Sequence, residues 1–438
     1  MKRLIVLLII SLITLGAAGC ANILEGDIHL STRHVVQQLE RPPEEQIEVA
    51  NFDVLKAEIL ELIMEHERSG LMYAINYDGD ISADILRACN ELKSDNPVVA
   101  YAVSEISGDA TRIVSYYEVT VNIEYKFPKQ QVDAIVNVSN QRYLRTELLS
   151  AMSEYEEELV FRTTLNITEY ELDNLVRDIY YNNPGQIVMK PATTVEIFPR
   201  RGEDRIFRLR FGYIEDAGIL AQHGTNLALY TRRNAELAVG EDDAEILLSL
   251  AENLVATCVF DEYTAKAISV HGAQNFAATA AGVASGSAVG EGFAMAFKAL
   301  CDTLGFEGCR IILGHLDGMI HAWNIVLLRG NYYHIDVAMC AVEGFEGAFL
   351  KNDTDMAGRY EWDRDNTVIC VGTLTYKDIV GADEEEGEEG EEGEPGEPGE
   401  PGTESGDETG ETPETPDVDP SHPPEPPGET PEQPAEEP

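Results

Sequence analysis

Residues 319–337 read MIHAWNIVLLRGNYYHIDV, two runs rich in β-branched and aromatic residues around Arg329-Gly330-Asn331. Such runs about a short Gly-containing break predict a β-hairpin. The loop length decides its chemistry, because side chains alternate between the two faces of a strand. A two-residue loop at Arg329-Gly330 puts His321 and Asp336 on one face as diagonal neighbours, roughly 7–8 Å apart at the backbone and within side-chain reach. A three-residue loop puts them on opposite faces. A histidine oriented by a carboxylate is the general-base half of a nucleophilic site.

Just upstream, residues 288–305 read AVGEGFAMAFKALCDTLG. Phe293, Ala296, Phe297, Leu300, Cys301 and Leu304 recur at the spacing of one helix face, and Gly305 ends the pattern. A helix is therefore expected here, followed by a strand at Cys309–Leu313.

The segment from about Glu241 to Gly372 resembles the transglutaminase-like domain of bacterial exported proteins, a papain-related α+β fold. The matching signatures are Glu291-Gly292-Phe293-Ala294, Leu304-Gly305-Phe306, His321-Ala322-Trp323-Asn324 and Tyr333-His334-Ile335-Asp336, with Phe349-Leu350-Lys351-Asn352-Asp353 and Trp362-Asp363 resembling the closing segment. The resemblance implies a helix bearing a catalytic cysteine, packed on an antiparallel sheet that supplies the histidine and aspartate. Carried over, the histidine is His321 and the aspartate Asp336. The cysteine position falls on Gly290, so the thiol is absent.

Other cysteines are poor substitutes. Cys301 lies eleven residues along the same helix, about 16 Å away at 1.5 Å per residue, and Cys309 starts the next strand. Cys340 follows Asp336 by four residues, and a loop there can carry it toward His321. The expectation is a catalytically inactive domain acting in binding or scaffolding at the cell envelope, keeping His321 and Asp336 as a remnant dyad, with Gly290, Glu291 and Trp323 as binding residues of a cleft for a peptide or protein ligand. The alternative is an active papain-like cysteine hydrolase or acyl transferase that uses Cys340. The cysteine spacings show no paired C-x-x-C, so no metal is expected, and no cofactor.

Before this segment, residues 52–213 match themselves at an offset of 87 to 89. Leu55, Ile59 and Ile63 answer Leu144, Leu148 and Met152; Ile85, Cys89 and Leu92 answer Leu172, Val176 and Ile179. Both copies then reach Asn-Pro, at Asn96-Pro97 and Asn183-Pro184. Alternating apolar residues close each copy, with Val119, Val121 and Ile123 against Phe207, Leu209 and Phe211, as half-buried strands require. The reading is two tandem α+β repeats, 51–130 and 131–222, each running helix, strand, helix, strand, strand. The transglutaminase-like region is placed at 223–380, with a lead-in helix at Asp243–Thr257. Neither repeat carries a catalytic or phosphate-binding motif, so both are expected to be a spacer or binding scaffold.

The ends complete the organisation. Lys2 and Arg3, an apolar run to Leu15 and then Gly16-Ala17-Ala18-Gly19-Cys20 describe an export signal. The Ala17-Ala18-Gly19-Cys20 ending resembles the lipobox of bacterial lipoproteins, implying a lipid anchor at Cys20, a linker over 21–50 and a protein facing outward from a membrane. Residues 381–438 form an acidic Pro/Gly/Glu-rich tail expected to be disordered. The chain holds 79 acidic against 31 basic residues, a net −48, of which 23 carboxylates fall in 383–438. That balance argues against nucleic acid as a partner.

Overall fold

The computed structural model describes residues 46–381 except Ala273. The export signal, Cys20, most of the linker and the acidic tail lie outside the described residues. The fold is mixed α+β, with three four-stranded sheets and one two-stranded sheet among the described residues.

The first sheet holds β1 (Glu48–Val49), β2 (Ser69–Ile75), β3 (Val103–Ile113) and β4 (Tyr116–Tyr125), in the order β1-β2-β4-β3. Helices Phe52–Glu65 and Ile81–Asp95 bury Leu55, Ile59, Ile63, Ile85, Cys89 and Leu92 in a core shared with Val119, Val121 and Ile123. Asn51 and Asp80 start these helices by accepting from backbone N–H groups of the first turn, which satisfies donors that a helix start leaves open. The second sheet holds β5 (Val136–Val138), β6 (Glu158–Thr163), β7 (Ala192–Phe198) and β8 (Arg205–Gly212), in the order β5-β6-β8-β7. Its helices, Gln141–Ser153 and Glu169–Asn182, bury Leu144, Leu148, Met152, Leu172, Val176 and Ile179.

Both sheets open with a strand parallel to the next, β1 to β2 and β5 to β6. These two- and three-residue strands are too short to show alternation in the sequence. The units diverge after their Asn-Pro pairs. Asn96-Pro97 starts a short helix, Pro97–Ala102. After Asn183-Pro184 the chain instead runs as an irregular segment that buries Ile187, Val188 and Met189 before reaching Lys190. Between the units Tyr101 meets Phe198 edge-on at 5.6 Å, and Arg208 lies 5.0 Å over the Phe127 ring.

The cores do not follow the sequence period. One apolar core gathers the first unit and Ile206, while a second runs unbroken from Val138 to Ile379. Helix Ala217–Leu237 spans the expected boundary at 222/223 and buries Leu220 and Leu227 in that second core. The lead-in helix forms at Asp243–Thr257 as expected.

In the last region β9 (Val259–Phe260) pairs with β10 (Ser287–Ala288), and β11 (Arg310–Leu316), β12 (Met319–Leu328), β13 (Asn331–Ile335) and β14 (Tyr360–Trp362) form an antiparallel sheet in the order β13-β12-β11-β14. Asp317-Gly318 and Arg329-Gly330 turn its two hairpins, and all four residues have positive φ, between 50° and 81°. Two-residue turns with both residues left-handed match the twist of the strands they join. Helix Gly290–Leu304 packs against β11 and β12, and its Phe293, Ala296, Phe297, Leu300 and Cys301 are all buried. Each fully buried Phe contributes about 2–3 kcal/mol. Leu304 departs from the expected face and is 39% exposed. The helix stops at Gly305, whose φ of 79° suits a residue without a Cβ.

Candidate functional site

Leu328 pairs with Asn331 across β12 and β13, so the loop has two residues and His321 and Asp336 share a face. His321 Nε2 lies 2.7 Å from Asp336 Oδ2. The same oxygen accepts from the Tyr360 hydroxyl at 2.9 Å, and Oδ1 accepts from Met339 N–H at 3.1 Å, where Asp336 caps helix Val337–Glu343. An ionised carboxylate only accepts. His321 Nε2 therefore carries the ring hydrogen, and Nδ1 is the basic nitrogen.

That nitrogen faces Gly290. A Cβ built on Gly290 would collide with His321 Cε1 and Nδ1 and come within 3.2 Å of the Ala322 carbonyl oxygen. The imidazole thus fills the volume that a side chain at 290 would need. His321 is buried, yet its ring lines a cleft of about 360 Å³ together with Gly290, Glu291, Ile268, Ile320 and Tyr181. Glu291 Oε1 accepts from the Tyr181 hydroxyl at 2.8 Å, and burial is the main reason its carboxyl is held above the usual range. Helix Glu262–His271 forms one wall and is tied to β12 by Ile320 N–H donating to Ser269 Oγ at 2.9 Å.

Trp323 does not line this cleft, contrary to its expected ligand-binding role. It is 1% exposed, with Tyr360 and Trp362 edge-on to its indole at 5.0 and 5.8 Å. Opposite His321 on β11 is Gly314, where a Cβ would come within 2.9 Å of the indole. Trp323 is therefore a wall behind the dyad. Its Nε1–H donates to His334 Nδ1 at 2.9 Å, and His334 Nε2 pairs with Asp353 Oδ1 at 2.9 Å.

His334, Asp353 and Cys370 bring three donor types within 4.8 Å of one another. A metal-bound histidine gives the hydrogen of its other ring nitrogen to an acceptor, but here a donor, the indole N–H, occupies that position. His334 must keep its hydrogen on Nε2, where Asp353 accepts it. Burial lowers the pKa of His334, and burial and Asp353 push the Cys370 thiol up to about 12. The trio is better described as a hydrogen-bonded network than as a metal centre.

Cys340 sits in helix Val337–Glu343, 3% exposed. Burial, and after it the charge of Asp336, raise its thiol pKa, whereas a nucleophilic cysteine needs a lowered one. All six cysteines among the described residues are buried and free. The site thus sets an imidazole oriented by Asp336 against the Cβ-less Gly290 at the edge of the cleft. Nothing in the sequence singles out Tyr360 or Tyr181; Tyr181 lies 110 residues from Glu291, and no local pattern links them.

No family model matches the chain, and no curated protein matches it. Among solved structures, a chain described as "Crystal structure of a TGase" is similar over 50% of this chain and 60% of its own length, at 10% identity and a TM-score of 0.24. A likeness at that level carries no argument about fold or activity.

Proposed function

We propose that this is a lipid-anchored protein on the outer face of a bacterial membrane, whose transglutaminase-like domain binds a peptide or protein ligand without cutting it. The observation that carries the reading is the His321 ring lying against Gly290 while its Asp336 partner remains in place. A base without a nucleophile cannot form an acyl intermediate. The order of motifs around Gly290, His321 and Asp336 supports the family reading, and the shared strand order of the first two sheets supports a duplicated scaffold. Anchorage at Cys20 and a spacer role for the acidic tail rest on the sequence of those segments. The net charge of −48 keeps nucleic acid out of the list of partners.

The test is to incubate the mature protein with peptide amides and amine acyl acceptors and to follow products by mass spectrometry. No hydrolysis or acyl transfer is expected. Turnover that disappears in His321→Ala or Cys340→Ala overturns the reading in favour of the cysteine hydrolase or acyl transferase. Gly290→Cys is expected to give a thiol alkylated by iodoacetamide below neutral pH, once the imidazole swings aside. A folded but inert variant would show that the His321–Asp336 pair is structural and not a remnant dyad.

A further inference from the structure

The cleft over Gly290 does not end at Glu291. A second lobe of about 280 Å³ shares Tyr181, Ile268, Glu291 and Ile320 with the first. It adds Met189 and Lys190 from the second α+β unit and Gln274 and Asn275 from the segment after helix Glu262–His271. The second α+β unit therefore builds part of the cleft, as a binding scaffold and not as a spacer alone.

The two lobes differ in chemistry. Ala265, Leu313 and the shared Ile268 and Ile320 make the first largely apolar. In the second, Lys190 is the only cation among the lining residues, and among the described residues its ammonium makes no hydrogen bond and no ion pair. Gln274 Nε2 donates to the Lys190 carbonyl oxygen at 3.0 Å, which ties the backbone of this residue to the segment that carries Asn275. Asn275 Oδ1 accepts from Ala277 N–H at 2.9 Å, which leaves the Nδ2 amide hydrogens to be donated. The one acid of the lobe, Glu291, has Oε1 on the Tyr181 hydroxyl, and the charge of Lys190 acts on its carboxyl against the upward push of burial. A half-buried ammonium in no contact ion pair, with only the Tyr181-bonded Glu291 acting on it in the lobe, favours a carboxylate beside the free Asn275 amide, because charges are less screened there than on open surface. The high net negative charge of the chain disfavours polyacidic ligands, so one carboxylate on an apolar body fits best.

We propose that the two-lobed cleft binds a short apolar peptide by its free C-terminal carboxylate, held at Lys190 and Asn275, with its apolar body in the first lobe over Gly290. This rests on the binding reading given above. The test is calorimetric titration of the intact protein with three probes: N-acetyl-alanyl-leucyl-alanine as free acid, the same peptide as C-terminal amide, and N-acetyl-aspartyl-leucyl-alanine amide. The free acid is expected to bind at least about tenfold tighter than either amide. Lys190→Met is expected to erase that preference, and Lys190→Arg to keep it. Equal binding of acid and amide, no binding of any probe, or a preference that survives Lys190→Met overturns the proposal. Equal binding of the aspartyl amide overturns the assignment to a chain end. Should Lys190→Met not fold, the comparison of acid with amide on the unaltered protein still decides. Mass spectrometry of the same samples separates the two readings: a cleaved peptide defeats binding without catalysis, whereas an intact peptide bound without regard to its carboxylate defeats only the subsite.

Discussion

His321 and His334 lie on neighbouring strands of one sheet, and each meets an aspartate through Nε2, at 2.7 and 2.9 Å. What separates them is the other nitrogen. Nδ1 of His334 is covered by the indole N–H of Trp323, and the ring is fully buried. Nδ1 of His321 faces Gly290 at the edge of a cleft. A His–Asp pair is thus not in itself a site; the free nitrogen and its access decide whether the pair can act on anything outside the fold.

The largest test of this contrast compares the two aspartates. Asp336→Ala leaves Tyr360 O–H, Met339 N–H and His321 N–H without their acceptor at a position 1% exposed. The expected loss is roughly 3–5 kcal/mol in urea unfolding. Asp353→Ala also strands His334, but Asp353 is 24% exposed and water can replace it, so about 1–2 kcal/mol is expected. Equal losses would erase the distinction between the pairs.

A smaller effect is expected at Gly290. Gly290→Ala forces a methyl against the His321 ring and should cost about 1–3 kcal/mol as overpacking. His321→Ala in the same chain should relieve that cost, so the two changes should be non-additive in a double-mutant cycle. Strict additivity would mean that the ring does not fill the space at 290.

The smallest effect is a pH slope from His334. Burial holds its folded pKa below the ordinary 6.5, so the unfolded chain binds the proton more readily. The stability from keeping this ring neutral is complete above pH 6.5 and is lost as the pH falls from there toward the folded pKa. Urea midpoints measured between pH 7.5 and 5 should decline less in His334→Gln than in the unaltered protein. An unchanged slope would assign the decline to other groups.

The sequence was most informative where local geometry governs. Arg329-Gly330 makes a two-residue turn, and with a period of two that alone aligns His321 with Asp336. The helix from Gly290 was legible because its apolar face repeats cleanly. Strand β11, expected at Cys309–Leu313, continues instead to Leu316, because the Asp317-Gly318 turn ends it. Helix Ala217–Leu237 escaped because only Leu220, Leu227, Thr231 and Asn234 are buried along its 21 residues, too sparse and too polar a stripe for a clear signal. Trp323 lies in the core and not in the cleft, and the sequence does not distinguish the two, because a tryptophan beside a histidine reads the same whether it faces a ligand or the interior. Tyr360, Tyr181 and Lys190 reach the site through tertiary packing alone.

The unbroken core from Val138 to Ile379 has a practical meaning for dissecting this molecule. A fragment begun at 223 would lose Leu144, Leu148, Phe161 and Phe207 from the interior it shares with Phe293 and Phe297, and would expose apolar surface to self-association. The stretch that the sequence period marks off as a copy and the stretch that must melt together are different lengths of chain. Limited proteolysis should accordingly release the first unit sooner than it separates the second from the cleft it helps to build.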